Sequence, residues 1–413
     1  MTNIFDQDLD PNSANFTALS PVSFVERSAE IFGDLSSVVH GHRKYTWGQT
    51  RDRSARLAAA LRSLGVARGT TVSAMLPNIP EMLEVHYAVP ALNAVLNPLN
   101  TRLDAALIAW QLNHCECAVL ITDREFAPVM AKALDILKTQ FGRSIVVVDV
   151  CDSEYTGPGE QLGQYEYEAW LASHEPLSKL EGPQNEWDAI AVSYTSGTTG
   201  DPKGVVTHHR GAYLNAVSNV ATWTMPHFPT YLWTLPMFHC NGWCFPWTLS
   251  AIIGTHICLR QVRAEPIWAA LADERVTHLC GAPIVMSLMI AAPQAVKRSL
   301  DHQVQFFTAA APPPEKLLAE MKAAGFDVTH LYGLTETYGH VTECTWDSAW
   351  DTLPADEQVA IKARQGVGMP MMEHVTVVDE NMGQVPMDGQ TQGEIVMRGN
   401  SVMKGYLKNP EAT

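Results

Sequence analysis

Between positions 195 and 204 the chain carries four hydroxyls (Thr195, Ser196, Thr198, Thr199), three glycines (Gly197, Gly200, Gly204) and one lysine, Lys203. These residue types suit an anion. Glycine lets backbone amides approach with no Cβ in the way. Hydroxyls and the ammonium add donors and positive charge, and successive N–H groups in such a loop form a concave phosphate cradle. The stretch follows an apolar, strand-like run, Ala189 to Tyr194. Its spacing is neither that of the helix-opening phosphate loop nor Gly-x-Gly-x-x-Gly. A glycine-rich surface loop would account for the glycines but not for the hydroxyls gathered before Pro202-Lys203. A nucleotide phosphate site accounts for both.

A second segment, Leu331-Tyr332-Gly333-Leu334-Thr335-Glu336-Thr337, follows a strand-like run from Asp327. At the carboxyl edge of a sheet, Tyr332 is suited to stack on a base. Glu336 is suited to hold Mg²⁺, a hard cation that prefers oxygen ligands near phosphates. Taken alone, the segment reads better as a strand-to-helix turn with a Glu favoured by the helix dipole.

Composition narrows the classes of function. The 413 residues carry 28 Lys and Arg against 44 Asp and Glu, a formal charge of −16. Such a chain does not attract nucleic acid or anionic membranes electrostatically, so any basic residue serving an anionic ligand must be placed locally. A hydrophobic share of 46% with 17% charged residues is that of a globular protein, and the length suggests two or three subdomains. The N-terminal stretch has no basic segment followed by an apolar one, and no run of about 18 apolar residues occurs. A cytoplasmic location with no membrane partner is expected. The eight dispersed cysteines read as free thiols. His239, Cys240 and Cys244 share one loose zinc-like spacing without a second ligand pair, so core or pocket lining is the better reading.

The elements that must position these residues alternate. Helices are expected over Arg51 to Leu64, Glu81 to Val89 and Ala105 to Leu112, the last opened by Thr101 and Asp104. Short apolar strands are expected at Val72–Leu76, Ala94–Asn97, Ala118–Thr122 and Ile145–Val150, which indicates a parallel sheet covered on both faces. A polar connection, Cys151 to Asp188, carries one short helix. The alternation resumes through strands near Tyr231–Leu235, Thr255–Leu259, His278–Gly281 and Gln305–Ala309, and the texture turns β-rich after about Gln365. The expected units are residues 1–188, 189–364 and 365–413.

Taken in this order, the motifs resemble the adenylate-forming (AMP-binding) superfamily, which includes acyl-CoA synthetases. Thr195 to Gly204 is similar to its phosphate loop without a gap, and Tyr332 to Glu336 to its adenine and magnesium motif. Gly393-Glu-Ile, Arg398-Gly and Met403-Lys-Gly-Tyr406 resemble its late β segment. Ala309-Ala310-Ala311-Pro312 stands in the place of its adenine-contacting segment, with alanine where glycine is usual. The resemblance implies an α/β fold, the large N-terminal domain of the superfamily: two doubly wound sheets packed with helices, plus a small β-rich subdomain. It implies ATP/AMP, Mg²⁺ and CoA as cofactors and a small carboxylic acid as substrate, and it leaves room for a homodimer. The nucleotide would be held by Thr195, Ser196, Gly197, Thr198, Thr199, Gly200, Lys203, Ala309 to Pro312, Tyr332, Gly333, Thr335 and Glu336. Catalysis would fall to His239, Thr335, Glu336 and Lys203, with Mg²⁺ on Glu336.

By the same resemblance Trp233 to Trp247 lines the acyl pocket, with His239 at the gate and Trp243 as a large wall that shortens it. Gly281-Ala282-Pro283 would form a further wall. Met237 to Trp243 contains no carboxylate to meet a substrate amine, so a short or medium apolar acid is expected. The Phe238 to Trp243 run looks like the medium-chain acyl-CoA ligase branch, which includes 3-methylmercaptopropionate-CoA ligases. The superfamily's later ribose-binding Asp and its lysine-bearing C-terminal domain have no counterpart before Thr413. The expectation is therefore the large N-terminal portion of a longer enzyme, impaired alone. A carrier-loading adenylation domain and a non-catalytic nucleotide-binding relative are the competing readings.

Overall fold

The computed structural model describes residues 3–195 and 202–413. Two mixed sheets share one helical filling. The eight-stranded sheet runs in the order Gly405–Tyr406, Lys203–His208, Ala189–Thr195, Val95–Pro98, Thr71–Met75, Val119–Asp123, Val146–Val150, Tyr165–Glu166. The nine-stranded sheet runs Val367–Gly368, Gly339–Glu343, Phe326–Leu334, Val304–Thr308, His278–Gly281, Thr230–Leu232, Thr255–Ile257, Ser36–His40, Arg43–Thr46. Their centres are parallel, but each acquires antiparallel edges. In one, Ala189–Thr195 pairs with Lys203–His208; in the other, Phe326–Leu334 pairs with Gly339–Glu343.

The expected boundary at 188/189 does not divide the sheets. Strands Ser36–His40 and Arg43–Thr46 sit in the nine-stranded sheet, whereas Ala189–Thr195 and Lys203–His208 complete the eight-stranded one. The last 49 residues are not detached either. Met372–Val378 and Glu394–Gly399 form a two-stranded ribbon, but Val367–Gly368 and Gly405–Tyr406 each extend a main sheet. Hydrophobic periodicity reports which residues face a core. It does not report which of two similar sheets a strand joins.

The helices Val22–Phe32, Trp47–Ser63, Pro80–Ala91 and Phe245–Ala251 pack on one another, and their buried faces merge with both sheets into one core. Helix Trp47–Ser63 begins four residues before the expected start because Thr46 and Gln49 form a reciprocal capping box. Asp104 caps helix Ala105–His114 by accepting from the Leu107 amide at 2.9 Å. Pro80–Ala91 runs through Pro90, the expected stop. Proline cannot donate to the carbonyl four residues back. That carbonyl, on His86, instead accepts from the Trp247 indole at 3.3 Å. No helix among the described residues is long and apolar enough to cross a membrane.

An ionic hub joins the sheets away from the Thr195–Gly204 and Leu331–Thr337 segments. Asp123 ends one strand of the eight-stranded sheet and Asp152 follows the end of another. Arg260 reaches both from beyond Thr255–Ile257, with Nη1 to Asp152 Oδ2 at 2.7 Å and Nη2 to Asp123 Oδ1 at 2.8 Å, and also meets Glu125. Arg43 bridges Asp152 and Glu81, and His40 Nε2 lies 2.9 Å from Asp152. Burial works to raise the Asp152 pKa, but His40 and Arg43 hold the carboxyl below its ordinary range.

Candidate active site

The antiparallel pairing of Ala189–Thr195 with Lys203–His208 sets Thr195 directly across from Lys203, at the mouth of the segment read as a phosphate loop. Ser196, Gly197, Thr198, Thr199 and Gly200 lie outside the described residues. Strand Gly405–Tyr406 adds to the other edge of Lys203–His208, so the loop's lysine and Tyr406 become near neighbours. Lys203 Nζ lies 5.0 Å from the centroid of the Tyr406 ring, within cation–π range.

The second motif comes to the same place from the other sheet. Thr335–Thr337 is a single 3₁₀ turn rather than the start of a helix, so Glu336 answers no helix dipole. Gly333 pairs with His340 and Leu334 with Gly339 across a tight antiparallel crossing, where a Cβ on Gly333 would stand 1.9 Å from the Gly339 carbonyl oxygen. Only glycine fits there. Glu336 Oε1 accepts from the Tyr406 hydroxyl at 2.8 Å. Burial and this bond raise the Tyr406 pKa to about 12, so the phenol stays protonated at neutral pH.

Thr195, Lys203, His239, Trp243, Ala309, Ala310, Gly333, Thr335 and Glu336 line one cleft of about 850 Å³. Ala310 adopts φ +77°, a left-handed conformation unusual for a residue with a Cβ. Ala311 and Pro312 are exposed and do not line the cleft. Tyr332 packs, half-buried, on Val341, Met369 and Met371 rather than lining it. Gly281, Ala282 and Pro283 also stand outside the lining. They form a strand-to-helix junction, with Ala282 at the N-cap position of helix Pro283–Ile290 and Gly281 lying too close to Val285 for comfortable substitution.

The wall expected at Trp243 is built on an unusual backbone. Cys240, Asn241, Gly242, Trp243 and Cys244 all have positive φ, from +42° to +64°, which makes one turn of left-handed helix. Left-handed geometry costs about 1–2 kcal/mol for each residue with a Cβ, so it persists only where surroundings over-determine it. Asn219 Nδ2 holds the Trp243 carbonyl at 3.1 Å, Asn215 Nδ2 lies 3.4 Å from Cys244 Sγ, and Ser193 Oγ donates to Asn241 Oδ1 at 3.0 Å. A Cβ on Gly242 would stand 2.8 Å from the Trp233 ring.

His239 opens this turn, its ring accessible to the cleft, and desolvation by the surrounding protein lowers its pKa toward a neutral imidazole. Cys240 Sγ lies 3.4 Å from Thr335 Oγ1, and burial raises the thiol pKa to about 11, so a thiol rather than a thiolate faces Thr335. His340 is buried behind the Trp243 wall, with its pKa lowered to about 3 by desolvation. Asn219 donates through Nδ2, so its Oδ1 accepts from His340 Nε2 at 2.6 Å.

The sequence reading did not assign Tyr406, His340, Trp110 or His114 to the site, and it gave Cys240 only a lining role. Tyr406 lay inside a quoted motif without a role. Trp110 and His114 are one helical turn apart, which was a usable signal. Their rings stack at 4.7 Å on the cleft wall.

The AMP-binding enzyme family matches residues 25–407. A peroxisomal acetate/butyrate–CoA ligase of Arabidopsis thaliana is 47% identical over 98% of this chain and 73% of its own length. An acetate–CoA ligase and a 2-methylpropanoate–CoA ligase of Humulus lupulus are 46% and 43% identical, each over 98% of the chain and 73% of the relative. In architecture the chain is similar to a benzoate CoA ligase of Burkholderia xenovorans, with a TM-score of 0.81, 18% identity and coverage of 95% and 74% of the two chains. It is likewise similar to a Mycobacterium tuberculosis fatty acyl CoA synthetase, with a TM-score of 0.77, 24% identity and coverage of 95% and 72%. At those identities the likeness concerns the fold alone. The match along nearly the whole chain, together with the joining of both motifs in one cleft, places this protein in the AMP-binding enzyme family.

Proposed function

We propose that this protein ligates a short or medium-chain carboxylic acid to CoA at the expense of ATP, releasing AMP and pyrophosphate. The observation that carries the reading is the convergence of Lys203, Thr335, Glu336 and Trp243 on one cleft. In the first step a carboxylate oxygen of the acid bonds to the α-phosphorus of ATP as the bond to the pyrophosphate oxygen breaks. In the second, the CoA thiol gives up its proton to solvent, its sulfur bonds to the acyl carbon, and AMP leaves with the former carboxylate oxygen. Neither step needs a protein nucleophile; both need positioning and charge neutralisation. Lys203 meets the outer phosphates, and the Thr335 hydroxyl meets the α-phosphate with Cys240 steadying it. Neutral His239 stands where acid and thiol meet and adds no positive charge to hold the carboxylate back.

Glu336 fits Mg²⁺, since Tyr406 occupies one carboxylate oxygen and leaves the other for a cation. The described residues hold no cluster of three or more metal-ligating side chains. The cation would therefore arrive with the phosphates, which suits Mg²⁺ on one carboxylate, and when bound it would neutralise phosphate charge. The Trp243 wall and the absence of a carboxylate from Met237 to Trp243 favour a small apolar acid, and the names of the relatives run the same way. Butyrate and the thioether acid 3-methylmercaptopropionate both suit walls of Trp, Met and Cys. A cytoplasmic setting is part of the proposal, against several relatives that are named peroxisomal.

A panel of C2 to C10 and methylthio acids, scored by kcat/KM for AMP formation with and without CoA, tests the reading. Short acids should lead, and turnover should require CoA. Trp243→Ala should shift preference toward longer acids by about ten-fold per methylene admitted, the scale of hydrophobic pocket discrimination. An unchanged profile would remove Trp243 from the acyl wall. Acylation of a carrier protein in place of CoA, or ATP binding without acid-dependent turnover, would overturn the ligase reading.

A further inference from the structure

Lys203 and Glu336 carry opposite charges in one cleft, yet neither makes an ion pair with any described residue. Left to themselves, an ammonium and a carboxylate on facing loops collapse together, and a ligand carrying phosphates and a cation would first have to part them. Tyr406 stands between. Its ring face takes the Lys203 ammonium at 5.0 Å, and its hydroxyl donates to Glu336 Oε1 at 2.8 Å. The backbone fixes both relations. Gly405 and Tyr406 pair with Val206 and Val205, the Leu407 amide donates to the Gly204 carbonyl at 2.7 Å, and the Met403 amide donates to the Glu336 carbonyl at 2.8 Å. One short strand thus ties the lysine of one sheet to the carboxylate of the other.

We propose that Tyr406 is a positioning residue that holds Lys203 and Glu336 apart, the lysine turned to the phosphates and the carboxylate to the cation, so that Mg²⁺-ATP enters a site already divided by charge. This rests on the nucleotide reading above. Tyr406→Phe keeps the ring and removes the hydroxyl. Tyr406→Leu removes both.

The test titrates ATP by calorimetry with and without Mg²⁺ and follows the Mg²⁺ dependence of AMP formation, using the intact protein. For Tyr406→Phe the Mg²⁺ needed for half-saturation should rise about ten-fold, the scale of a lost hydrogen bond to a charged group, while KM for the acid stays. Tyr406→Leu should weaken ATP binding several-fold more. In a Glu336→Gln background, Tyr406→Phe should add nothing.

Mg²⁺ and ATP titrations of Tyr406→Phe that coincide with the parent would overturn the proposal. So would an equal loss in the Glu336→Gln background, or a fall in melting temperature with every kinetic constant altered alike, the mark of a merely structural residue. Should Tyr406→Phe fail to fold, Tyr406→Met, which also lacks the hydroxyl, takes its place in the same titrations. A parent that binds Mg²⁺-ATP but turns over no acid defeats the ligase reading and leaves the isotherms to decide on Tyr406. A parent that binds no ATP defeats both.

Discussion

The inter-sheet hub and the candidate cleft both set charged side chains near strand ends where the two sheets approach, and they use those charges in opposite ways. In the hub, Arg260 meets three carboxylates and Asp152 meets Arg43, Arg260 and His40. Every charge is answered within the protein, so the hub has nothing to offer a ligand. In the cleft, Lys203 and Glu336 face one tyrosine and have no ion-pair partner among the described residues. Their charges stay available. A buried network whose charges pair with one another serves geometry, whereas a site that takes a charged ligand keeps its charges uncancelled at some cost in stability.

The largest expected effect is on the hub. Arg260→Met leaves three carboxylates facing one another, and unfolding free energy should fall by about 3–5 kcal/mol, read by urea denaturation, with kcat per folded molecule unchanged. A loss within the range of a surface substitution would erase the contrast. Next comes the cleft. Glu336→Gln should lower acid-dependent AMP formation by about 10²–10³-fold, the scale of a missing electrostatic contact, while the urea midpoint barely moves. A large stability loss there would mean that the cleft carboxylate is structural after all.

The smallest effect concerns pH. The Asp152 pKa is depressed in the folded state, so its contribution is fully present above the ordinary aspartate value of about 3.9 and drains as the pH falls below it. The stability difference between the parent and Asp152→Asn should therefore be largest at neutral pH and shrink below about pH 4. A difference that grows with acid would reverse the assigned sign.

Much of the element pattern was legible because short apolar strands and capped amphipathic helices are local signals. His278–Gly281 and the opening of Ala105–His114 at Asp104 came out at the expected residues. What the sequence left obscure was non-local. The helix runs past Pro90 because an indole 157 positions away takes the carbonyl that proline abandons, which no window around residue 90 contains. The same holds in the cleft. Lys203 was readable from motif chemistry and Thr335 and Glu336 only through the family resemblance, and the structure brings all three to one cleft. Tyr406 gained meaning only once its strand was seen to pair with that of Lys203, and Tyr332, Ala311, Pro312 and Gly281 to Pro283 fell outside the lining. Motif adjacency in sequence does not fix which side of a chain faces the cleft.

The left-handed turn from Cys240 to Cys244 has a consequence for how this pocket can change. Its backbone is pinned by Asn215, Asn219 and Ser193 and has no room for a side chain at Gly242. Lengthening or shortening the loop would break several of these pins at once. Exchanging the Trp243 side chain would leave them in place, since Asn219 grips only its carbonyl. If Trp243 forms the acyl wall as proposed, new acid preferences should arise by single-residue exchange there, with insertions and deletions between His239 and Cys244 selected against in any library that demands a folded enzyme.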